Sequence, residues 1–287
     1  MKKFDNIVVG LDISNTSISI LKRAFLLAQQ NDSKITIVHA IANHWFTELF
    51  TSLKLEKIQK HTEENIQKIL QDVDTQNIEY SIIIEKETAS TFVVDTAQKI
   101  NASLIVIGAN EKGDVNFSLL GSTAHKIAQN SKIPLIVVKN FSEKKYENIA
   151  SFTDLSEISY KSLSFAKDFF QKNEISVIYA YNQMSEITLK YYEEIENQET
   201  IQSNITNKEN EKVTLFEEKY NISNVTTIET DAGISSALSK YVDTNKNDLI
   251  IMGSKGLNNS TAFIYGSTTS YLMENLKSDL LIYVSDK

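Results

Sequence analysis

The chain has 287 residues, 41% hydrophobic and 23% charged, enough apolar content for one large domain or two ordinary ones and too much for a disordered polymer. Its net charge of -8 argues against a nucleic-acid or anionic-membrane partner, since those contacts need clustered cations. Arg23 is the only arginine, which removes most bidentate phosphate or guanine readout, and the absence of cysteine excludes disulfides and thiolate chemistry.

No run approaches the roughly 18 apolar residues of a membrane helix. The N-terminal "IVVGL" is too short for a secretory signal core. These features predict a cytoplasmic protein.

Along the chain, "FDNIVVGL" reads as a strand, and 15–31 as an amphipathic helix with Ile18, Leu21, Phe25 and Ala28 on one face. "KITIVHAI" is a second strand, and 45–74 a long helical region. "IEYSIIIE" is a third strand, 89–101 a helix, "SLIVIG" a fourth strand, 119–130 a helix, and "PLIVVK" a fifth strand. The second half repeats the order, with strands near 147–153, 175–181, 223–230, 248–253 and 279–284. The polar stretch 196–212 reads as a solvated helix face or a mobile loop.

Alternating elements with short, continuously apolar strands predict an α/β protein of two tandem doubly wound domains. Each has a five-stranded parallel sheet with helices on both faces. The boundary falls in the charged stretch 140–148, giving domains 1–142 and 143–287; so short a linker predicts halves packed as a fixed pair.

The halves also share motifs. "LIVIGANEKGDVNFSLLGSTAHKI" (104–127) aligns without a gap to "LIIMGSKGLNNSTAFIYGSTTSYL" (249–272), pairing Gly108 with Gly253 and Gly121 with Gly266. "NIVVGLDIS" (6–14) matches "NIASFTDLS" (148–156), pairing Asp12 with Asp154. So long a period means duplicated domains rather than a solenoid.

In an open parallel sheet, ligands bind beyond the carboxyl ends of the strands. The glycine loop follows strand four and the aspartate follows strand one, so the two converge if those strands are neighbours. A strand-end glycine permits positive φ and close approach of a ligand. Gly266, Ser267 and Thr268 open a helix whose free N–H groups and positive dipole end attract an anion, a phosphate cradle with Lys255 as its one basic residue.

These segments resemble the universal stress protein (UspA) family over nearly the whole chain. The carrying residues are "GLDIS", "FTDLS" and the spacing G-x2-G-x9-G-(S/T), matched by Gly253, Gly256, Gly266 and Ser267. The resemblance implies ATP bound between strands one and four, with Asp154 at the adenine or ribose end and Ala180 lining the adenine. Gly253, Ser254, Gly256, Gly266, Ser267 and Thr268 would hold the phosphates. It also implies pairing through the last strand of each sheet, which a tandem chain can satisfy internally, as a dimer within one chain; further homodimerisation stays open.

The first half matches at Asp12, Ala40, Gly108, Gly121, Ser122 and Thr123, but Glu111 replaces the middle glycine, Gly113 comes two residues later, and Asp114 follows. A unit charge about 5 Å from another, at an effective dielectric of about 20, interacts by roughly 3 kcal/mol. The expectation is a second domain with an intact loop that binds nucleotide and a first domain with a degenerate loop that binds weakly or not at all.

Walker, dinucleotide and G-x-S-x-G motifs are all missing. His39, His44, His61 and His125 form no metal-ligand spacing. Trp45, Phe46 and Phe50 read as a core or interface cap, and Tyr191 and Tyr192 carry no pattern. The leading reading is an adenine-nucleotide-binding stress or signalling module with an unnamed protein partner and no dedicated catalytic residue. The alternatives are a scaffold of the same family that takes no nucleotide, and a slow ATPase or autophosphorylating protein that would need Mg2+.

Overall fold

The computed structural model describes residues 4–41, 52–75, 77–109, 121–140, 142–184, 188, 198–254 and 266–284. In the first half the elements are β1 (Asn6–Gly10), α1 (Ser17–Asn31), β2 (Lys34–Ala40), α2 (Ser52–Leu70), β3 (Tyr80–Glu85), α3 (Ala89–Lys99), β4 (Leu104–Gly108), α4 (Ser122–Asn130) and β5 (Leu135–Val138). The second half follows with β6 (Ile149–Thr153), α5 (Glu157–Phe169), β7 (Ile175–Asn182), α6 (Gln198–Tyr220), β8 (Val225–Thr230), α7 (Ile234–Asn245), β9 (Leu249–Gly253), α8 (Ser267–Asn275) and β10 (Asp279–Tyr283).

All ten strands join one sheet in the order β3-β2-β1-β4-β5-β10-β9-β6-β7-β8. Within each half the pairs are parallel, as apolar strands joined by crossover helices require. The halves meet at an antiparallel pair, β5 with β10, in the register Leu280↔Val137, Leu281↔Ile136 and Ile282↔Leu135. The sheet edges expected to need cover therefore cover each other. Because that pair is antiparallel, the carboxyl ends of the two sets of strands lie at opposite edges of the sheet.

Alternate residues of each strand feed the two faces. One face buries Val8 and Ile105 under Val93, Ala97, Ala124 and Ile127, and continues across the seam to Leu238, Val242, Leu272 and Met273. The other buries Val9 and Leu104 under Leu21, Phe25 and Ile66, and continues to Ala166, Phe169 and Phe170. Both cores cross the seam, so the halves pack as a fixed pair.

The seam also holds a buried charge cluster. Asp279 is fully buried and Arg23 is 2% exposed. One Asp279 carboxylate oxygen accepts the backbone N–H groups of Lys139 and Asn140, both at 2.7 Å. The other accepts the Tyr146 hydroxyl at 2.6 Å and lies 3.3 Å from Arg23 Nε. Arg23 Nη1 donates to the Lys144 carbonyl (2.6 Å) and Nη2 to the Ser142 carbonyl (3.0 Å), and its guanidinium sits 3.9 Å above the Tyr146 ring. The segment between the halves is thus tied from both sides. Lys139 donates from Nζ to the carbonyls of Leu276 (2.9 Å) and Met273, at the end of α8.

Candidate functional site

The β1–β4 and β6–β9 pairings put the carboxyl ends of strands one and four of each half side by side. In the first half they frame a cavity of 390 Å³ whose lining includes Asp12, Ala40, Gly108, Gly121, Ser122 and Thr123, together with Gly10 and His39. All six candidate residues of this half therefore share one cleft. Its mouth is pinned where the Gly121 N–H donates to the Ala109 carbonyl at 2.6 Å.

The helix starts are built alike. Gly121 caps α4 at φ -64°, ψ 154°, and Gly266 caps α8 at φ -57°, ψ 151°. The first intrahelical bonds run from His125 N to Gly121 O and from Ser270 N to Gly266 O, both at 3.0 Å. The three preceding N–H groups of each helix have no helical acceptor to meet, and the glycine caps have no side chain to offer them. A Cβ on Gly266 would meet nothing within 4 Å, so open space lies beside the α8 N-terminus.

Positive φ is not what the strand-end glycine supplies. Among the described glycines only Gly233 has a left-handed φ, of 90°. Gly108 instead makes room: a Cβ there would lie 2.6 Å from the Ile20 δ-methyl, itself part of the cavity wall.

The left-handed residues sit one position past each aspartate, Ile13 at φ 54° and Leu155 at φ 63°. Such a conformation costs a residue with a bulky side chain about 1–3 kcal/mol and persists only when its surroundings impose it. Here they do. The Asp12 carboxylate accepts the Ser14 hydroxyl and Ser14 N donates to Ser17 Oγ, both at 2.8 Å. In the second half Leu155 N donates to Thr153 Oγ1 at 2.9 Å and Ser156 N to the Asp154 carboxylate at 3.1 Å. The same strained turn aims the aspartate in both halves.

The second half differs inside the cleft. Asp154 is half-buried just past β6, Ala180 is buried on β7, and Gly253 ends β9, where its carbonyl accepts the Thr269 hydroxyl at 3.3 Å. Ser254 is buried, and its N–H is taken by the Tyr283 carbonyl at 2.8 Å. Gly10 pairs with Val38 as Phe152 pairs with Ile178, so a phenylalanine stands where the first half has glycine. Phe152 is 6% exposed, in the cluster that holds Leu238 and Met252, with Tyr241 edge-on at 6.4 Å. Ala89, Val93 and Ile107 of the first cavity likewise correspond to Ile234, Leu238 and Met252. Leu11 and Ile20 have smaller counterparts, Thr153 and Ser162.

His39 and Tyr179 also correspond. His39 Nδ1 donates to the Leu11 carbonyl at 2.8 Å, which leaves the neutral ring Nε2 as an acceptor. Tyr179 donates its hydroxyl to Glu209 at 2.7 Å; burial and that carboxylate hold the phenol well above its ordinary range.

His61 is exposed on α2, and His125 lies 3.9 Å from Glu274 across the seam. Among the described residues no group of His, Asp and Glu could hold a metal. Lys255, Gly256, Glu111, Gly113, Asp114, His44, Trp45, Phe46, Phe50, Tyr191 and Tyr192 lie outside the described residues. Sequence reasoning missed Phe152, although the alignment of "NIVVGLDIS" with "NIASFTDLS" sets it opposite Gly10.

The model of the family described as "Universal stress protein family" matches this chain twice, over residues 3–139 and 145–283. A universal stress protein of Methanocaldococcus jannaschii is 28% identical over 140 residues, 47% of this chain and 82% of its own length. A universal stress protein A homolog of Haemophilus influenzae is 28% identical over 142 residues, 47% of this chain and 96% of its own. Over the whole length, the crystal structure of a universal stress protein from Archaeoglobus fulgidus has the same fold. It has a TM-score of 0.69 and 16% identity, over 98% of both chains. The chain belongs to the universal stress protein family and carries two of its domains in tandem.

Proposed function

We propose that this chain is a stress or signalling module that binds ATP or another adenine nucleotide, mainly in its second domain, taking the domains as 1–142 and 143–287. The supporting observation is the α8 N-terminus, whose cap Gly266 has no side chain and whose Cβ position faces open space, on the same sheet edge as Asp154. N–H groups at the start of α8 would meet phosphate oxygens, with Ser267 and Thr268 hydroxyls beside them. Asp154, an acceptor, would take ribose hydroxyls or a base amino group away from the phosphates. The intervening segment 255–265 carries Lys255 and no carboxylate, whereas 110–120 carries Glu111 and Asp114. Any Mg2+ would then arrive on the phosphates rather than on a protein ligand set.

A second reading has its own observation: the first half holds an open cavity lined by all six of its candidate residues, and the second half carries the larger Phe152, Ile234 and Leu238 where that lining has Gly10, Ala89 and Val93. Calorimetric titration with ATP separates the two. Binding that disappears in Gly256→Glu supports the second domain. Binding unaffected there but lost in Gly10→Phe supports the first. Absence of heat supports a family scaffold that takes no nucleotide, and Mg2+-dependent phosphate release lost with Ser267→Ala supports the ATPase alternative.

A further inference from the structure

A pseudo-two-fold axis runs through the seam. Ile136 pairs with Leu281 at its centre, and the two hold the same position in their strands, at the spacing that pairs Gly121 with Gly266. Each seam site therefore has a counterpart across the axis. Arg23 on α1, Tyr146 and Asp279 meet at one site; the corresponding residues of the other are Phe165 on α5, Phe4 and Pro134. The match of "FDNI" (4–7) with "YENI" (146–149) sets Phe4 against Tyr146.

The two sites have opposite chemistry. At the first, Arg23 Nε lies 3.3 Å from the Asp279 carboxylate and the guanidinium covers the Tyr146 ring, all three residues being buried. At the second, Phe4 sits edge-on to Phe165 at 5.5 Å and to Phe169 at 4.9 Å. Phe165 in turn packs on Tyr283 at 5.7 Å. In both, a residue ahead of one half's first strand rests on the first helix of the other half.

We propose that Arg23 and Asp279 select the partner of each half, reserving the β5 face for the β10 face and rejecting the like face of a second copy. Two first halves joined through β5 would set Arg23 against Phe4 and Pro134 of the other copy, where no carboxylate takes the place of Asp279. Two second halves joined through β10 would set Asp279 against Phe165, where no guanidinium takes the place of Arg23. By symmetry each mismatch occurs twice. Like pairing thus buries two uncompensated charges, the arrangement that costs most in a protein interior. Unlike pairing buries one compensated pair and one apolar site.

The strands themselves discriminate little. Leu135, Ile136 and Val137 are about as apolar as Leu280, Leu281 and Ile282, and all six are fully buried. Selection therefore rests on penalising the wrong partner rather than on a better fit to the right one. The chain's one arginine stands at that position.

Because the chain has no cysteine, a thiol placed at the axis reports which strand lies opposite. Ile136→Cys meets its own copy only when two first halves pair, and Leu281→Cys only when two second halves pair. Directly opposed residues of an antiparallel pair lie within disulfide reach. Each reporter is placed in the full chain, alone and with Arg23→Phe or Asp279→Ala. Interchain disulfide is then read on non-reducing gels after mild oxidation at one protein concentration.

The expected pattern is crossed. Arg23→Phe should raise the interchain disulfide of Ile136→Cys at least tenfold over the reporter alone and leave that of Leu281→Cys near its background. Asp279→Ala should do the reverse. Lost stability does not produce this pattern, because both substitutions break the same pair; urea unfolding measures the loss in each. Arg23→Leu repeats the first arm with a smaller side chain should Arg23→Phe not fold. With both reporters in one otherwise parental chain, peptide mapping should find the 136 thiol joined to the 281 thiol. Like-with-like links in that chain overturn the proposal, as does interchain disulfide that rises equally at both reporters or at neither.

Discussion

Gly10 and Phe152 hold the same register position on the first strands of the two halves, Gly10 against Val93 of α3 and Phe152 against Tyr241 of α7. Gly10 lets Val93 and Ile107 approach the strand closely, whereas Phe152 places an aromatic ring at the same register position. On the proposed reading, the Phe152 ring crowds the base end of the second half's cleft.

Phe152→Ala should therefore strengthen ATP binding by the second half about tenfold, the equivalent of about 1.4 kcal/mol. It should also lower folding stability by roughly 3–5 kcal/mol, as aromatic truncation in a core does. Calorimetry and urea unfolding read the two effects separately. Unchanged affinity in the folded variant would mean that the ring does not crowd the ligand.

The strained turn gives a prediction of opposite sign for stability. Leu155 holds φ 63°, a conformation that asparagine tolerates better, so Leu155→Asn should raise stability by up to about 1 kcal/mol. A thermal midpoint that falls would show that the side chain's packing outweighs its strain.

At the seam, Arg23 and Asp279 form a buried pair whose other polar atoms are largely satisfied by the linker. Removing one member, as in Arg23→Met, should destabilise by roughly 3–5 kcal/mol, because an uncompensated charge stays buried. Replacing both with apolar residues should recover much of that loss. Urea unfolding of the two single variants and the double variant tests the coupling.

Lys139 gives the seam a pH signature. Burial pushes its ammonium down to about 8, with Asp279 and Glu274 opposing. The unfolded chain, with an ordinary lysine near 10.5, binds the proton more tightly, so stability contributed at this residue rises from pH 8 towards 10.5. Tyr146 acts in the other direction. Burial, with Asp279 next, holds its phenol well above 10, so its contribution is lost as pH climbs past 10. Relative to Lys139→Met, the parent should therefore gain stability between pH 7 and pH 9. A constant difference across that range would contradict the assignment.

Much of the fold was legible because the strands are continuous apolar runs and each half repeats the other. Within each half, the aspartate and glycine motifs could be placed at the carboxyl ends of the strands from the order of elements alone. Other features depend on distant neighbours. Arg23 lies on a helix where a lone arginine reads as surface, and only the return of β10 beneath it supplies Asp279. Phe152 reads as an ordinary core residue until set against Gly10. Nothing local announces an isoleucine or leucine at positive φ, since those side chains resist it. The polar stretch 196–212, open between helix face and loop, is helical from Gln198, and α6 is anchored further along by buried Val213 and Phe216.

The most direct test of nucleotide binding by the second domain is the ATP stoichiometry of the purified chain by calorimetry, repeated on Gly256→Glu. The account predicts one ATP per chain in the parent and none in the variant. Binding that persists in Gly256→Glu, or two ATP per chain in the parent, would contradict it.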